Sequence, residues 1–371
     1  MPGPHHREAA RPPGGRIALT NVRPFDGRQL RPATTVVIDG GVIGTDPAGA
    51  QVIDGAGGVL LPGLIDAHVH LDGPGRLAQL ASWGVTTALD MASVPEETAA
   101  QRGVPGQADF RSAGIPAIAP GSFHERLVGP RGLITGPEQA KGFVADRIAE
   151  GSDFIKIVVG SPLADHDQAT VDALVAAAHE QGRLVVAHAS SVGAVIKAQR
   201  AGADILTHAP LDQPLGPALA AAMAAAGQQS VPTLAMMEAI VAGLAPPGAA
   251  YENARASVAA LHAAGVPVSA GTDANGSAAG PAPVPHGEGL HHELELLAGA
   301  GLPALDVLLA ATERAADCFG LADRGRIAPG LRADLVLIDG DPLTGIRATR
   351  SIRRVWCDGI EVAPHPPEGR N

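Results

Sequence analysis

The feature that most constrains the fold of this 371-residue chain is a regular alternation of strand-like and helical segments through its middle. Helical, alanine-rich stretches such as residues 168–181 and 191–201 separate the strand-like runs. Those runs are Leu64–His70, Val85–Asp90, Ile115–Ala119, Phe154–Val159, Leu184–His188, Ile205–His208, Ser230–Leu234 and Val266–Thr272. About eight strand-and-helix units over roughly 250 residues are typical of a (β/α)8 TIM barrel with a parallel sheet. An open doubly wound sheet is the alternative, although no Gly-x-Gly-x-x-Gly follows the first strand to indicate a dinucleotide site.

The two ends of the chain have a different texture, in which short β-like runs are bounded by turn signals such as Asp-Gly. We therefore predict an α/β protein with two domains. Residues 16–62 and 326–365 would pair into one small composite β-sandwich domain, and residues 63–325 would form the barrel. Residues 1–15 contain Pro, Gly and charged side chains but no apolar run like that of a signal peptide, so we expect a disordered arm there.

Charge and composition exclude several classes of partner. The formal net charge is -11 and the arginines are scattered, whereas nucleic-acid and anionic membrane surfaces need clustered Lys and Arg. No stretch approaches the roughly 20 apolar residues that a membrane span requires. Cys318 and Cys357 are the only cysteines, which indicates no disulfide framework and favours a reducing cytoplasm.

The first predicted strand of the barrel ends in the pair His68 and His70. Side chains on a strand alternate between its two faces, so both imidazoles point to the same side and can share a metal ion. A His-x-His pair alone is a weak motif. The case for a site depends on what the other strands carry at the same end.

Four other predicted strands carry residues able to bind a metal, namely Lys156, His188, His208 and Asp273. The carboxyl ends of barrel strands meet at one mouth, so these side chains are expected to converge with the histidine pair. Taken singly, His188 and His208 are also compatible with hydrogen-bonded core histidines, and Asp273 with a helix N-cap. Lys156 lies in an otherwise apolar strand, where an unpaired charge is costly and must be compensated.

Several motifs together resemble the amidohydrolase superfamily, in its imidazolonepropionase-like and prolidase-like branch, which includes Xaa-Pro dipeptidases. They are Pro62–His70, Phe154–Ile157, Ala187–Ala189, Thr207–His208, Ala270–Asp273 and Asp323–Val336. The resemblance extends from about residue 16 to residue 359.

The resemblance implies a binuclear metal centre. His68, His70 and Asp273 would hold one divalent ion, and His188 and His208 a second. Lys156, carboxylated by carbon dioxide to a carbamate, would bridge the two. Zinc is the expected ion and manganese the alternative. A hydroxide between the ions would attack the substrate, with Asp273 as the proton carrier and His208 as a second catalytic residue that steadies the developing oxyanion.

Substrate recognition is predicted less directly, because the Gly-His-Gly segment that dipeptidase-like relatives often carry after the third strand is missing here. His124, Arg131 and His286, which lie in predicted loops, are the candidate substrate contacts.

The expected function is a metal-dependent amidohydrolase that cleaves a C–N bond, in an amide or cyclic amide, of a small molecule or dipeptide. A deaminase or a lactone or ester hydrolase on the same metal site is the alternative. A ligand-binding barrel without catalysis is the non-enzymatic reading. Family members often pair, so a homo-oligomer is one expectation, although no sequence feature fixes the assembly.

Overall fold

The computed structural model describes residues 15–276 and 282–366. Residues 1–14 of the predicted arm therefore lie outside the described residues. The strands are β1 (Ile17–Pro24), β2 (Thr34–Asp39), β3 (Val42–Gly44), β4 (Gln51–Asp54), β5 (Val59–Pro62), β6 (Leu64–Val69), β7 (Val85–Asp90), β8 (Asp109–Ser112), β9 (Ile155–Val158), β10 (Val185–His188), β11 (Ile205–Thr207), β12 (Gln229–Val231), β13 (Leu335–Ile338), β14 (Ile352–Cys357) and β15 (Ile360–Val362). The α-helices are α1 (Arg76–Ser82), α2 (Pro95–Thr98), α3 (Glu125–Val128), α4 (Ala140–Ala149), α5 (Gln168–Glu180), α6 (Val192–Ala201), α7 (Pro217–Ala225), α8 (Leu234–Leu244), α9 (Tyr251–Ala263), α10 (Glu288–Gly299), α11 (Ala304–Ala310) and α12 (Glu313–Cys318).

Strands from both ends of the chain share one mixed sheet. Its order is β15-β14-β13-β5-β1-β2-β3, and β4 also pairs with β1. β13 lies antiparallel between β5 and β14, so a strand from the C-terminal end is inserted beside one from the N-terminal end. One face packs around Trp356 and Leu60, and the other packs on Ala81 of α1 and Leu308 of α11.

The middle of the chain forms two parallel sheets, β6-β7-β8 and β9-β10-β11-β12. Isolated parallel bridges, rather than continuous ladders, link them. The bridged pairs are Val69 with Ala274, Ser230 with Val268, and Ala117 with Ile157. The predicted α/β class is confirmed.

Two of the predicted strands differ from the structure. The third is found at Asp109–Ser112 instead of Ile115–Ala119, and Val266–Thr272 makes only single bridges and hydrogen bonds. Gly114, with a φ of 63°, turns the chain after β8, and Pro116 and Pro267 lack the N–H group that a ladder needs. The apolar pattern was correct, but it does not show where the ladder breaks.

The helices between the strands bury one face against the sheets, as α5 illustrates. Asp167 caps its start by accepting a hydrogen bond from the Thr170 N–H at 2.8 Å. Val171, Leu174 and Ala178 recur at helical spacing and are all buried. Within the described residues, no helix is long and apolar enough to cross a bilayer.

Candidate metal centre

The carboxyl ends of the parallel strands bring histidines together around the carboxylate of Asp273. Its Oδ1 lies 2.8 Å from Nε2 of His70 and 3.5 Å from Nε2 of His68, and its Oδ2 lies 3.8 Å from Nδ1 of His208. His68 is the penultimate residue of β6, His70 follows that strand, and His208 follows β11. The structure therefore brings these four side chains together at one edge.

His188 and Lys156 complete the group. The His188 ring centroid lies 4.3 Å from that of His208. Lys156 projects from β9 and donates a hydrogen bond of 2.9 Å from Nζ to Oγ1 of Thr207. We call His68, His70, Lys156, His188, His208 and Asp273 the strand-end cluster.

The backbone of three consecutive strand ends lies in the left-handed region. The φ angles are 73° at His208, 49° at Thr233 and 59° at Asp273. Residues other than glycine rarely adopt this conformation, which costs of order 1–3 kcal/mol each. Such strain is concentrated at functional sites, and here it turns two cluster side chains and Thr233 toward each other.

Burial keeps most of the cluster imidazoles neutral. It lowers the pKa of His68 and His188 well below the ordinary value, and the neighbouring cationic groups add to the effect. Burial also lowers the pKa of His208 to about 3. The pKa of His70 is raised overall. Burial works to lower it, but the hydrogen bond to Asp273 and the charge of that residue outweigh burial. Neutral imidazoles carry the lone pair that a metal ion needs.

Burial has opposite effects on the pKa values of Asp273 and Lys156, because it favours the neutral form of each. For Asp273 burial favours the protonated form, but the hydrogen bond from His70 and the nearby cationic groups lower its pKa overall. Burial lowers the pKa of Lys156 to about 7, against the attraction of Asp273. The lysine therefore has a substantial neutral amine fraction at neutral pH.

The arrangement fits a metal site. His68, His208 and Asp273 each offer one ligand atom, and the three atoms lie within 4.8 Å of one another. The buried Nδ1 of His68 has no hydrogen-bond partner among the described residues, and such an atom is costly unless a ligand satisfies it. Imidazole and carboxylate are ligands that zinc and similar divalent ions prefer.

Residues behind the cluster orient its ligands, and the sequence alone gave them no such role. Thr233 Oγ1 lies 2.9 Å from Nδ1 of His208. Asp66, fully buried in β6, accepts hydrogen bonds from the N–H of His68 at 3.2 Å and the hydroxyl of Thr272 at 2.7 Å. A carboxylate in an apolar strand is the signal that would have revealed Asp66, because burying it demands partners.

The three predicted substrate contacts lie in different surroundings. His124 faces the cluster, with its ring centroid 5.0 Å from that of His188 and its Nδ1 2.7 Å from the hydroxyl of Ser161. His286 is buried, and its Nε2 lies 2.8 Å from the backbone carbonyl oxygen of His70.

Arg131 is not brought to the cluster. Its guanidinium donates to Glu96 at 3.1 Å and to Glu150 at 2.8 Å on the surface. The predicted substrate contact is corrected accordingly, because two carboxylates from other segments already engage this side chain.

Comparison with known proteins identifies the family. The profile described as the Amidohydrolase family matches residues 59–362, which is most of the chain. The chain belongs to the amidohydrolase family.

Similar proteins of known sequence include an uncharacterised protein of Mycobacterium tuberculosis (strain ATCC 25618 / H37Rv). It is 31% identical over 350 residues, covering 83% of this chain and 86% of that protein. An adenine deaminase of Nitratidesulfovibrio vulgaris (strain DP4) is 28% identical over 344 residues, covering 84% of this chain but 51% of the deaminase. The match to adenine deaminase 2 of Desulfotalea psychrophila covers only 12% of that enzyme.

Among solved structures, a putative prolidase from Bifidobacterium longum superimposes with a TM-score of 0.81 at 25% identity, covering 96% of this chain and 97% of that one. The predicted prolidase-like branch is thereby confirmed.

Proposed function

We propose that this protein is a metal-dependent hydrolase that cleaves a C–N bond of an amide or cyclic amide in a small molecule or dipeptide. The observation that carries the proposal is the strand-end cluster, in which a buried carboxylate, four histidines and a lysine of lowered pKa come together from five segments of the chain. The match to the amidohydrolase family supports the same reaction class.

The cluster divides naturally into two sets of donors. We propose that His68, His70 and Asp273 hold one divalent ion and that His188 and His208 hold a second, with zinc as the preferred ion and manganese as the alternative. Two ions held in this way would lower the pKa of a water molecule and polarise the scissile carbonyl. The neutral state of the buried imidazoles supports the assignment, since protonated histidines do not bind metal.

Lys156 would act as a carbamate between the two sets. Its neutral amine attacks the carbon of carbon dioxide, an N–C bond forms, one C–O π bond becomes the carboxylate, and the displaced proton passes to water. A pKa of about 7 supports this step, because the ε-amine must be unprotonated to react. The product places an anion among histidines where an ammonium group is poorly compensated.

The reaction itself would use Asp273 and His208. Asp273, hydrogen-bonded to His70 and facing His68 and His208, would accept the proton of the attacking water and pass it to the leaving nitrogen. His208, fixed by Thr233, would steady the negative charge that develops on the substrate oxygen. His124 and His286, at the rim of the cluster, would contact the substrate.

The proposed architecture follows from the observed sheets. We propose that the two parallel sheets and the bridges between them make one (β/α)8 barrel over residues 63–325. Residues 16–62 and 326–365 would form the composite β domain with a sandwich-like arrangement. A cytoplasmic location is also proposed, which two free, buried cysteines favour.

The second candidate is a deaminase, since one relative that aligns with 84% of this chain is named adenine deaminase. Metal stoichiometry separates the two reactions. Deaminases on this fold usually hold one ion and use no bridging lysine, whereas the proposed amidase needs two ions and bound carbon dioxide.

The test is a substrate panel assayed on the purified protein supplied with zinc or manganese in bicarbonate buffer. The panel contains N-acyl amino acids, dipeptides, cyclic imides, lactones and adenine, and metal per chain is measured in parallel. Hydrolysis of an N-acyl amino acid, a dipeptide or a cyclic imide with two ions per chain supports the proposal. Ammonia release from adenine with one ion per chain establishes the deaminase instead, and a chain that binds no metal and turns over none of the panel overturns both.

A further inference from the structure

The hydroxyl of Thr207 has an unusual assignment of donor and acceptor. It donates its single hydrogen to the backbone oxygen of Ala187 at 3.2 Å, while its oxygen accepts a hydrogen bond from Nζ of Lys156 at 2.9 Å. A threonine hydroxyl has one donor and two acceptor positions. With the donor committed to Ala187, Thr207 presents only an acceptor to the lysine.

The side-chain surroundings make this contact important. Thr207 is fully buried and Lys156 is almost so. Among the described residues, Thr207 is the hydrogen-bond partner of the lysine nitrogen. A buried N–H without an acceptor costs free energy, so an N–H that Lys156 keeps needs Thr207 as its acceptor.

A carbamate meets that requirement. Carboxylation replaces one hydrogen of the neutral amine by a carboxylate and leaves one N–H on the nitrogen. That N–H and the carboxylate lie in one amide-like plane, because the nitrogen lone pair is delocalised. An acceptor that fixes the direction of the N–H therefore also fixes the plane and direction of the carboxylate.

We propose that Thr207 is a positioning residue that holds the remaining N–H of the Lys156 carbamate and so directs its carboxylate toward the metal ligands. The inference rests on the proposed function, since it presupposes carboxylation of Lys156. It adds one requirement to the six proposed metal ligands. The residue before His208 must carry a hydroxyl that accepts a hydrogen bond from Lys156. Thr207 acts through Lys156 and has no contact with substrate in this account.

The test compares Thr207→Val, which removes the hydroxyl at nearly constant shape, with Thr207→Ser, which keeps it. Thr86→Val is the matched control, because Thr86 is a buried threonine on β7 whose hydroxyl has no partner among the described residues. Each full-length protein is stripped of metal, then reconstituted with zinc over a range of 13C-labelled bicarbonate concentrations. The carbamate 13C resonance and the zinc bound per chain are recorded, and thermal unfolding of the stripped proteins is measured separately.

We expect Thr207→Val to need about tenfold more bicarbonate for half-maximal carbamate and zinc loading, the effect of one lost hydrogen bond. Thr207→Ser and Thr86→Val should stay within about twofold of the unaltered protein. Equal bicarbonate dependence of the valine and serine variants overturns the role of Thr207 while leaving the proposed function intact. Absence of a carbamate signal in the unaltered protein overturns both. If Thr207→Val fails to fold, a serine variant that differs more than about tenfold from the unaltered protein contradicts the role, since the hydroxyl is retained.

Discussion

Two buried groups of polar side chains in the central sheets differ in how their charges are satisfied. Near the start of β8, Arg324 is 2% exposed and donates to Asp109 at 2.8 Å, to Asp323 at 2.8 Å and to Thr87 at 3.0 Å. The strand-end cluster instead has a histidine nitrogen without a described partner, a lysine of lowered pKa and left-handed backbone at two of its members.

The comparison shows how a structural and a functional polar group can be told apart. The charges around Arg324 neutralise each other within the chain, so burial is compensated on folding. The strand-end cluster concentrates metal-ligating side chains, and one of their buried atoms, Nδ1 of His68, has no partner among the described residues. A cluster of metal-ligating side chains that contains such an atom is a candidate site, whereas a buried group whose charges are paired within the chain has a structural role.

The largest effect is expected from Lys156→Ala. Loss of the carbamate removes the link between the two proposed ion sites, so bound metal and turnover should fall together, with activity reduced by about a thousandfold or more. Metal analysis and initial rates on the same sample measure both quantities. Full metal content with normal turnover would show that Lys156 has no bridging role and that the cluster resembles the Arg324 group more than we infer.

Arg324→Met tests the other side of the comparison. Removing Arg324 takes away the more buried ion-pair partner of Asp109 and leaves the less buried Arg111 at 3.0 Å, so the free energy of unfolding should fall by about 3 kcal/mol. Denaturant unfolding measures it. The double variant Arg324→Met with Asp109→Leu is the control, and it should recover most of the loss because both buried members of the pair are replaced by apolar side chains. A single variant as stable as the unaltered protein would contradict the structural role of this pair.

The free energy of unfolding should change with pH as Asp109 titrates. Burial works against its charged form, but Arg324 and Arg111 lower the pKa of Asp109 to about 2 in the folded protein. A group whose pKa is depressed on folding contributes stability above its unfolded pKa of about 3.9, and that contribution disappears as the pH falls toward 2. The expected contribution is about 2 kcal/mol.

Asp109→Asn serves as the comparison in that experiment. Unfolding of both proteins is followed from pH 6 to the lowest pH at which they remain folded, and the difference between them should shrink on acidification. A constant difference across this range would mean that Asp109 is not the titrating group.

The smallest effect is expected from Arg131→Ala. Its guanidinium is engaged by Glu96 and Glu150 on the surface, and exposed ion pairs contribute little. Turnover of the best substrate from the panel should stay within about twofold. His124→Ala, which removes an imidazole close to the cluster, is the matched comparison and should raise KM. Equal effects of the two variants on KM would restore Arg131 as a substrate contact.

Sequence reasoning was most successful where one local rule applied. Hydrophobic runs with a polar residue at the carboxyl end identified His188 and His208 because strand direction in a parallel sheet places such ends together. It failed where a local interruption or a distant partner decided the outcome. Pro116 displaces the third strand, and the carboxylates that engage Arg131 come from segments far from it in sequence.

The partners of Lys156 show the same limit. An apolar strand that contains a lysine predicts that something must compensate it, but not which residue. Thr207 lies in a different strand, and its donor is committed to Ala187 by the pairing of β10 with β11. That assignment depends on the register between strands, which the sequence of either strand alone does not contain.

The shared sheet of the two chain ends also bears on biosynthesis. β5 acquires its neighbour β13 only after the more than 250 residues between the two strands have been translated. Pairing between such distant segments is slow to form. The edge of β5 therefore stays unpaired until β13 has been synthesised. Removal of the last strands would leave that edge exposed for good, and the expected product is an aggregation-prone polypeptide instead of a smaller working enzyme.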